Sequence, residues 1–320
     1  MSLVLVVTIV GAGLYVGGNI GANDAANCIG PAVGGGLVRY RTAIVAVAVF
    51  AIAGALLQGS GVAHTVGKGI VTEPISELGV IAALFCGGIF VSIATFLKIP
   101  VSTSQAVVGA VAGVGVASQL HVDWSKTLNI AGSWVLCPIL SMVVTYLLYR
   151  ATLWLLGRLE DDRFARRALR WLVLASAAYA AYSLGANNLG NAIGPIGALE
   201  TEVLDPRWLT VLGAASIAIG ALLFGRGVAE TVGRSIIPLD LPGAFAVQVA
   251  AGFGLHLFSM LGVPVSTSQA VVGALIGIGT YHGIRTVSRR KLLEVVVGWV
   301  ATPVAAGLVS FVLFLGLQRL

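Results

Sequence analysis

Apolar residues run through this chain in long blocks, broken at a few places by short polar clusters. Stretches such as 43–57, 78–97 and 295–317 are long enough, alone or with their flanks, to cross a hydrocarbon layer that takes about 20 helical residues. The pattern predicts an all-α polytopic membrane protein of about ten spans. Five fall at 3–36, 42–61, 78–97, 101–120 and 128–156, and five at 171–199, 209–225, 243–261, 265–282 and 292–317. The one sustained charged segment, 157–170, separates the two sets and reads as a solvated cytoplasmic linker with a short amphipathic helix. It divides the chain into a first membrane repeat, 1–156, and a second, 171–320. The first apolar run has no basic stretch before Leu3 and no convincing cleavage site, so it reads as a span rather than a signal peptide.

The polar interruptions repeat. PVSTSQAVVGA occurs identically at 100–110 and 264–274, an offset of 164. GANDAANCIGP at 21–31 matches GANNLGNAIGP at 185–195 in seven of eleven positions, at the same offset. A third pair, VAHTVGKGIV at 62–71 and VAETVGRSII at 228–237, follows at an offset of 166, and Trp134/Pro138 and Trp299/Pro303 extend the match. Motifs in the same order and register mean duplication. An odd number of crossings per half makes the second half enter the membrane from the opposite face, which predicts two inverted repeats.

Composition agrees with a membrane protein: 58% hydrophobic and 10% charged residues, with a mean hydropathy of +0.97, against roughly 25% charged in an average soluble domain. The three cysteines stand in no metal or disulfide pattern. The net charge of +6 could suggest a nucleic-acid partner, but its placement argues for topology instead. All but Lys68, Lys126, Arg207 and Arg319 of the 19 Lys and Arg residues collect on one face of the predicted spans. By the positive-inside rule that face is cytoplasmic, which places both termini outside a multi-pass plasma-membrane protein.

Polar backbone is tolerated at membrane depth only where protein or a watery cavity surrounds it, so both motif types should point inward. The glycines and Asn/Asp residues of GANDAAN predict broken helices at the midplane, with a break near 21–24 and a new helix from Asp24 or Ala25. In Pro-Val-Ser-Thr-Ser the proline ends one helix, and the hydroxyl residues can cap the next and supply donors at its positive end. Ser102, Thr103, Ser104 and Gln105, with Ser266, Thr267, Ser268 and Gln269, are therefore candidate anion ligands, joined by Asn23, Asp24, Asn187 and Asn188. The two serine-rich segments should face each other across one anion. Two helix N-termini supply only about +1 together, less than a divalent oxyanion needs. A cation or proton is expected to make up the difference, held by oxygens of Asp24, Asn27, Asn191 and Glu230, which suit a hard ion such as sodium. Acids inside a membrane are costly, and Asp24 and Glu230 read as functional for that reason. His64, opposite Glu230 in the third pair, reads either as part of that chemistry or as a polar residue at a span end.

GANDAAN and GANNLGN, paired with two PVSTSQAVVGA segments, resemble the inorganic phosphate transporter (PiT) family, which also contains phosphate permeases and some sulfate permeases. The resemblance covers nearly the whole chain. It implies secondary transport of inorganic phosphate by symport with sodium or protons, no further cofactor, and a homodimer. The family's motifs map onto 21–27 and 185–191 and onto 102–105 and 266–269. Three departures stand out: Asn188 replaces a common aspartate, Ser-Thr-Ser-Gln replaces a common Ser-Thr-Thr-His, and His64 stands where glutamate is frequent. Fewer buried acids imply fewer coupled cations.

Phosphate keeps a proton that it can donate to a free carboxylate and sulfate does not, which favours phosphate where Asp24 or Glu230 is free. Sulfate or a related oxyanion stays open as an alternative substrate. An anion channel would share the polar interruptions but would not accumulate its ion. A membrane enzyme would need a nucleophile with its base or a metal cluster, and His64, His121, His256 and His282 stand in no ligand spacing.

Overall fold

The computed structural model describes residues 1–34, 38–99, 101–158, 162–199, 204–235, 239–283 and 289–319. Pro100 of the first hydroxyl motif, and Ile236 and Ile237 of the third motif's second copy, lie outside the described residues. The helices are α1 (Leu3–Gly34), α2 (Tyr40–Gln58), α3 (Ser60–His64), α4 (Glu77–Phe96), α5 (Thr103–Ala117), α6 (Trp124–Leu156), α7 (Asp162–Gly197), α8 (Pro206–Phe224), α9 (Arg226–Ser235), α10 (Leu241–Met260), α11 (Thr267–His282) and α12 (Arg289–Leu317). A π-helical turn, Thr65–Gly69, continues α3. Among the described residues extended pairing is limited to one bridge, between Val71 and Val122.

Local chemistry sets most helix starts. Ser76, Ser102, Asp123, Asp205, Asp240 and Ser266 each accept a bond from a backbone N–H of the turn they open. Pro206 and Pro242 occupy first-turn positions, where no N–H is needed. The ends of α4 and α10 follow a common rule too. Ile99 N–H bonds back to Ala94 O and Val263 N–H to Phe258 O, both at 2.8 Å. The residues before them, Lys98 (φ 59°) and Gly262 (φ 69°), take the left-handed conformation that closes such a helix end.

Among the described residues seven helical stretches are long and apolar enough to cross a membrane: Leu3–Val33, Tyr40–Gln58, Glu77–Phe96, Trp124–Leu156, Pro206–Phe224, Leu241–Met260 and Val296–Leu317. The sequence pattern had suggested about ten. Helices α5 and α11 have only 15 and 16 residues. At 1.5 Å per residue they reach about 23 Å, short of a hydrocarbon core of about 30 Å. Each folds back on the helix before it, so α4–α5 and α10–α11 are hairpins.

The expected break at 21–24 does not occur. Both α1 and α7 are helical without interruption through their Asn-rich motifs. The breaks fall at the hydroxyl motifs instead, because the asparagine side chains serve the turns of neighbouring hairpins rather than capping their own helix. Helix α7 starts at Asp162, within the charged segment, and runs on to Gly197.

The two halves are interleaved. Helix α1 packs on α8 and α7 on α2; α5 packs on α12 and α11 on α6. These contacts are reciprocal to the residue. A β-carbon at Gly21 would overlap the Ile217 carbonyl, and one at the equivalent Gly185 the Ala51 carbonyl. Gly54 meets Tyr182 O and Gly220 meets Gly18 O; Gly109 meets Pro303 O and Gly273 meets Pro138 O. Such close backbone approach needs residues without side chains, as in other membrane helix pairs. Gly185→Val should therefore lower the thermal unfolding midpoint of the detergent-solubilised protein, with an overpacking cost of at least ~1–3 kcal/mol. Gly11→Ala, at a position with open space, should leave the midpoint unchanged or raise it.

Candidate functional site

The outer surface of the helices is apolar, with Leu3, Val4, Phe96, Trp154, Leu308 and Val312 among its exposed side chains. The centre is polar. Asn23, Asp24, Asn27, Asn187, Asn188, Asn191 and the hydroxyl motifs from Ser102 to Gln105 and from Ser266 to Gln269 are all at most 2% exposed. Asn23 lies eleven residues before the end of α1 and Asn187 ten before the end of α7. Both are thus ~15–17 Å from a helix end, about half the thickness of an apolar membrane core.

These two asparagines pin the hairpin turns. Asn23 Oδ1 accepts from Val101 N–H at 3.1 Å, while its Nδ2 donates to Ile99 O and to Thr95 Oγ1, each at 3.1 Å. Asn187 repeats this, accepting from Val265 N–H at 3.1 Å and donating to Val263 O at 3.2 Å. A turn carrying unpaired N–H and C=O groups could not stay buried without such partners.

Beyond each turn a helix begins. Ser102 Oγ accepts from Gln105 N–H and Ser266 Oγ from Gln269 N–H, both at 3.2 Å. The two tips touch where Ser104 Oγ donates to Val265 O at 2.8 Å. Two helix N-termini, with the hydroxyls of Thr103, Ser104, Thr267 and Ser268, are therefore gathered beside α1 and α7. Exposed first-turn amides and the helix dipole make such a place suited to an anion.

The surroundings of the two tips differ. Around α7, Asn188 Nδ2 donates to Thr267 Oγ1 at 2.8 Å, and Asn191 Nδ2 donates to Asn188 Oδ1 and to Ser104 Oγ, both at 2.9 Å. Around α1, Asp24 Oδ1 and Oδ2, Thr103 Oγ1 and Asn27 Nδ2 have no hydrogen-bond partner among the described residues. Thr103 lies close beside the Asp24 carboxylate. A buried, unpaired carboxylate costs several kcal/mol, so Asp24 needs a cation or a proton. Two carboxylate oxygens and a hydroxyl are donors that fit a hard cation such as sodium.

Not every predicted residue joins this centre. Glu230 forms a pair with Arg226 at 3.0 Å, one helical turn away on α9, with both side chains substantially exposed. That i,i+4 spacing was visible in the sequence and marks a surface pair. His64 is exposed and lines a separate cavity of about 520 Å³ with Lys68 and Asp205. Gln105 and Gln269 line an apolar cavity of about 580 Å³ between α6 and α12, beside Trp134, Pro138, Trp299 and Pro303.

The sequence reading also missed a polar seam. Tyr15, Asn19, Asn23 and Asn27 follow one another at i,i+4 along α1, as Tyr179, Ser183, Asn187 and Asn191 do along α7. Ser92 Oγ donates to Asn19 Oδ1 at 2.8 Å and also pairs with the Tyr15 hydroxyl, while Tyr179 pairs with His256 at 3.2 Å. The helical spacing was the signal available for these residues.

A surface built for lipid around a buried polar centre defines a multi-pass membrane protein. Residues 20–310 match the Phosphate transporter family, and the chain belongs to that family. A protein of Pyrococcus furiosus named as a "putative phosphate permease" is 30% identical, covering 99% of this chain and 97% of its own. Similarly named proteins of Chlamydia pneumoniae (27%, covering 99% of each chain) and Methanocaldococcus jannaschii (29%, covering 92% of each) are also similar. A solved structure described as the sodium-dependent phosphate transporter shares the fold, with a TM-score of 0.90 at 24% identity over 99% of this chain and 100% of the other.

Asn187→Ala should release the second hairpin turn by leaving Val265 N–H and Val263 O unpaired, at a cost of ~1–3 kcal/mol for each group left buried. Hydrogen exchange measured by mass spectrometry should then accelerate at 261–266 while the helical part of α12 keeps its wild-type protection.

Proposed function

We propose that this protein is a symporter of inorganic phosphate across the plasma membrane, driven by sodium or protons. The observation that carries this reading is the pairing, in one buried centre, of two helix N-termini with a carboxylate that lacks a partner. The N-termini and hydroxyls of α5 and α11 hold the anion, and Asp24 with Thr103 holds the cation or proton that offsets its charge. Phosphate is favoured by the family to which the chain belongs and by a carboxylate placed to accept a substrate proton. Sodium is favoured by the oxygen donors at Asp24, and the protein of the solved neighbour is described as sodium-dependent.

Reciprocal contacts between the halves support inverted repeats. In this reading α1, α2 and α6 cross in the first half and α7, α8 and α12 in the second, while the hairpins enter and leave on one face each. Three crossings per half keep the inversion and, with the positive residues inside, leave both termini outside. Transport follows when the hairpins and the long helices change their packing to open the centre first to one face and then to the other.

Proteoliposomes containing the purified protein should accumulate labelled phosphate, and not sulfate, under a sodium or a proton gradient. Accumulation under neither gradient would remove the symport reading, and preference for sulfate would change the substrate. Asp24→Asn should abolish concentrative uptake while the unfolding midpoint stays near wild type or rises, since an amide is cheaper to bury than an unpaired carboxylate.

A further inference from the structure

The two halves of the centre are equivalent in sequence position and unequal in bonding. Asp24 corresponds to Asn188, Asn27 to Asn191, Thr103 to Thr267 and Ser104 to Ser268, each at an offset of 164. In the second half Asn188 uses its amide nitrogen on Thr267 and its carbonyl oxygen on Asn191. In the first half Asp24, Thr103 and Asn27 leave the carboxylate, the threonine hydroxyl and the asparagine nitrogen without partners among the described residues. Ser104 bonds across to Val265 O and Asn191, whereas Ser268 of the second half pairs with Ser266 at 3.0 Å.

We propose that the protein binds one sodium ion per phosphate, at Asp24 and Thr103, and that Asn188 fills the equivalent place in the other half with a permanent hydrogen-bond donor. This rests on the symport reading and deepens it. The physical reason is a match of charge and contact. A cation between an aspartate and a threonine neutralises the first and is bound by the oxygen of the second. An asparagine is already neutral, and its N–H makes the bond to the threonine oxygen that the cation would have made. Nothing anionic then remains in the second half to attract an ion: Asn188 has both ends of its amide bonded, and the atoms left unpaired there, Asn191 Oδ1 and Gln269 Oε1, are neutral amide oxygens. Asn188 is a positioning residue in this scheme: it holds Thr267 at the start of α11, beside the anion.

Two measurements test the count. Equilibrium binding of radioactive sodium to the purified full-length protein, with phosphate present, should saturate at one ion per chain. In proteoliposomes with the voltage held at zero, a tenfold sodium gradient should be balanced by a phosphate gradient of about tenfold; coupling to two sodium ions would require about a hundredfold. Two ions by either measure overturn the proposal and leave symport standing. No bound sodium overturns it too, and accumulation under a proton gradient would then keep the symport reading in its proton form. If neither gradient drives accumulation, both readings fall. Asn188→Asp should restore the missing charge, raising the bound sodium from one to two per chain and the Hill coefficient for sodium from about 1 to about 2. A folded Asn188→Asp protein that still binds one ion would show that Asn188 does not stand in for a cation and would overturn the proposal.

Discussion

Helices that end in the interior of an apolar layer leave N–H and C=O groups with no water to receive them, and the rest of this structure follows from how those groups are paired. The turns of both hairpins are buried at this depth. Asn23 and Asn187 supply their partners from the sides of α1 and α7, each bonding one N–H and one C=O of a turn. That requirement explains why asparagine stands at the same point of both motifs, and why α1 and α7 stay continuous beside it: a helix broken there could not present its side chain to the neighbouring turn. Pinned in this way, the starts of α5 and α11 come together, so the element that solves a hydrogen-bonding problem also gathers two helix N-termini in one place.

Interleaving serves the same end. Because α1 packs on α8 and α7 on α2, neither half can form its centre alone, and the close crossings at Gly21, Gly54, Gly185 and Gly220 leave no room for side chains. Lipid offers no hydrophobic drive to bring helices together, so this intimate contact is the source of cohesion. The small-residue crossings and the polar centre lie on the same helices, so tight packing next to the site limits how far its groups can drift.

What the sequence revealed divides along the line between local and long-range interactions. The duplication, the serine caps at Ser102 and Ser266 and the inward placement of the polar motifs could all be read, because each depends on neighbours within a few residues. The hairpins could not, since a 16-residue apolar helix with its flanks resembles a short span until its turn is seen beside Asn187. The role of the asparagines was misjudged for the same reason: they satisfy backbone groups about 76 residues away, and no local pattern announces that. Glu230 is the opposite case. Its partner Arg226 was four residues distant, and the costly-acid rule for membrane interiors was applied to a side chain that lies on the exposed side of a short helix.

The unequal bonding of the two halves has a further consequence under the proposed transport cycle, in which one centre is exposed to two faces in turn. If the halves were identical, exchanging their roles would convert one facing state into the other, and the two would have equal free energy. The bonds of Asn188 to Thr267 and Asn191 occur on one side only and remove that degeneracy. In that cycle Asn188 is one of the positions at which the duplicated chain departs from the symmetry that would make its two facing states equal.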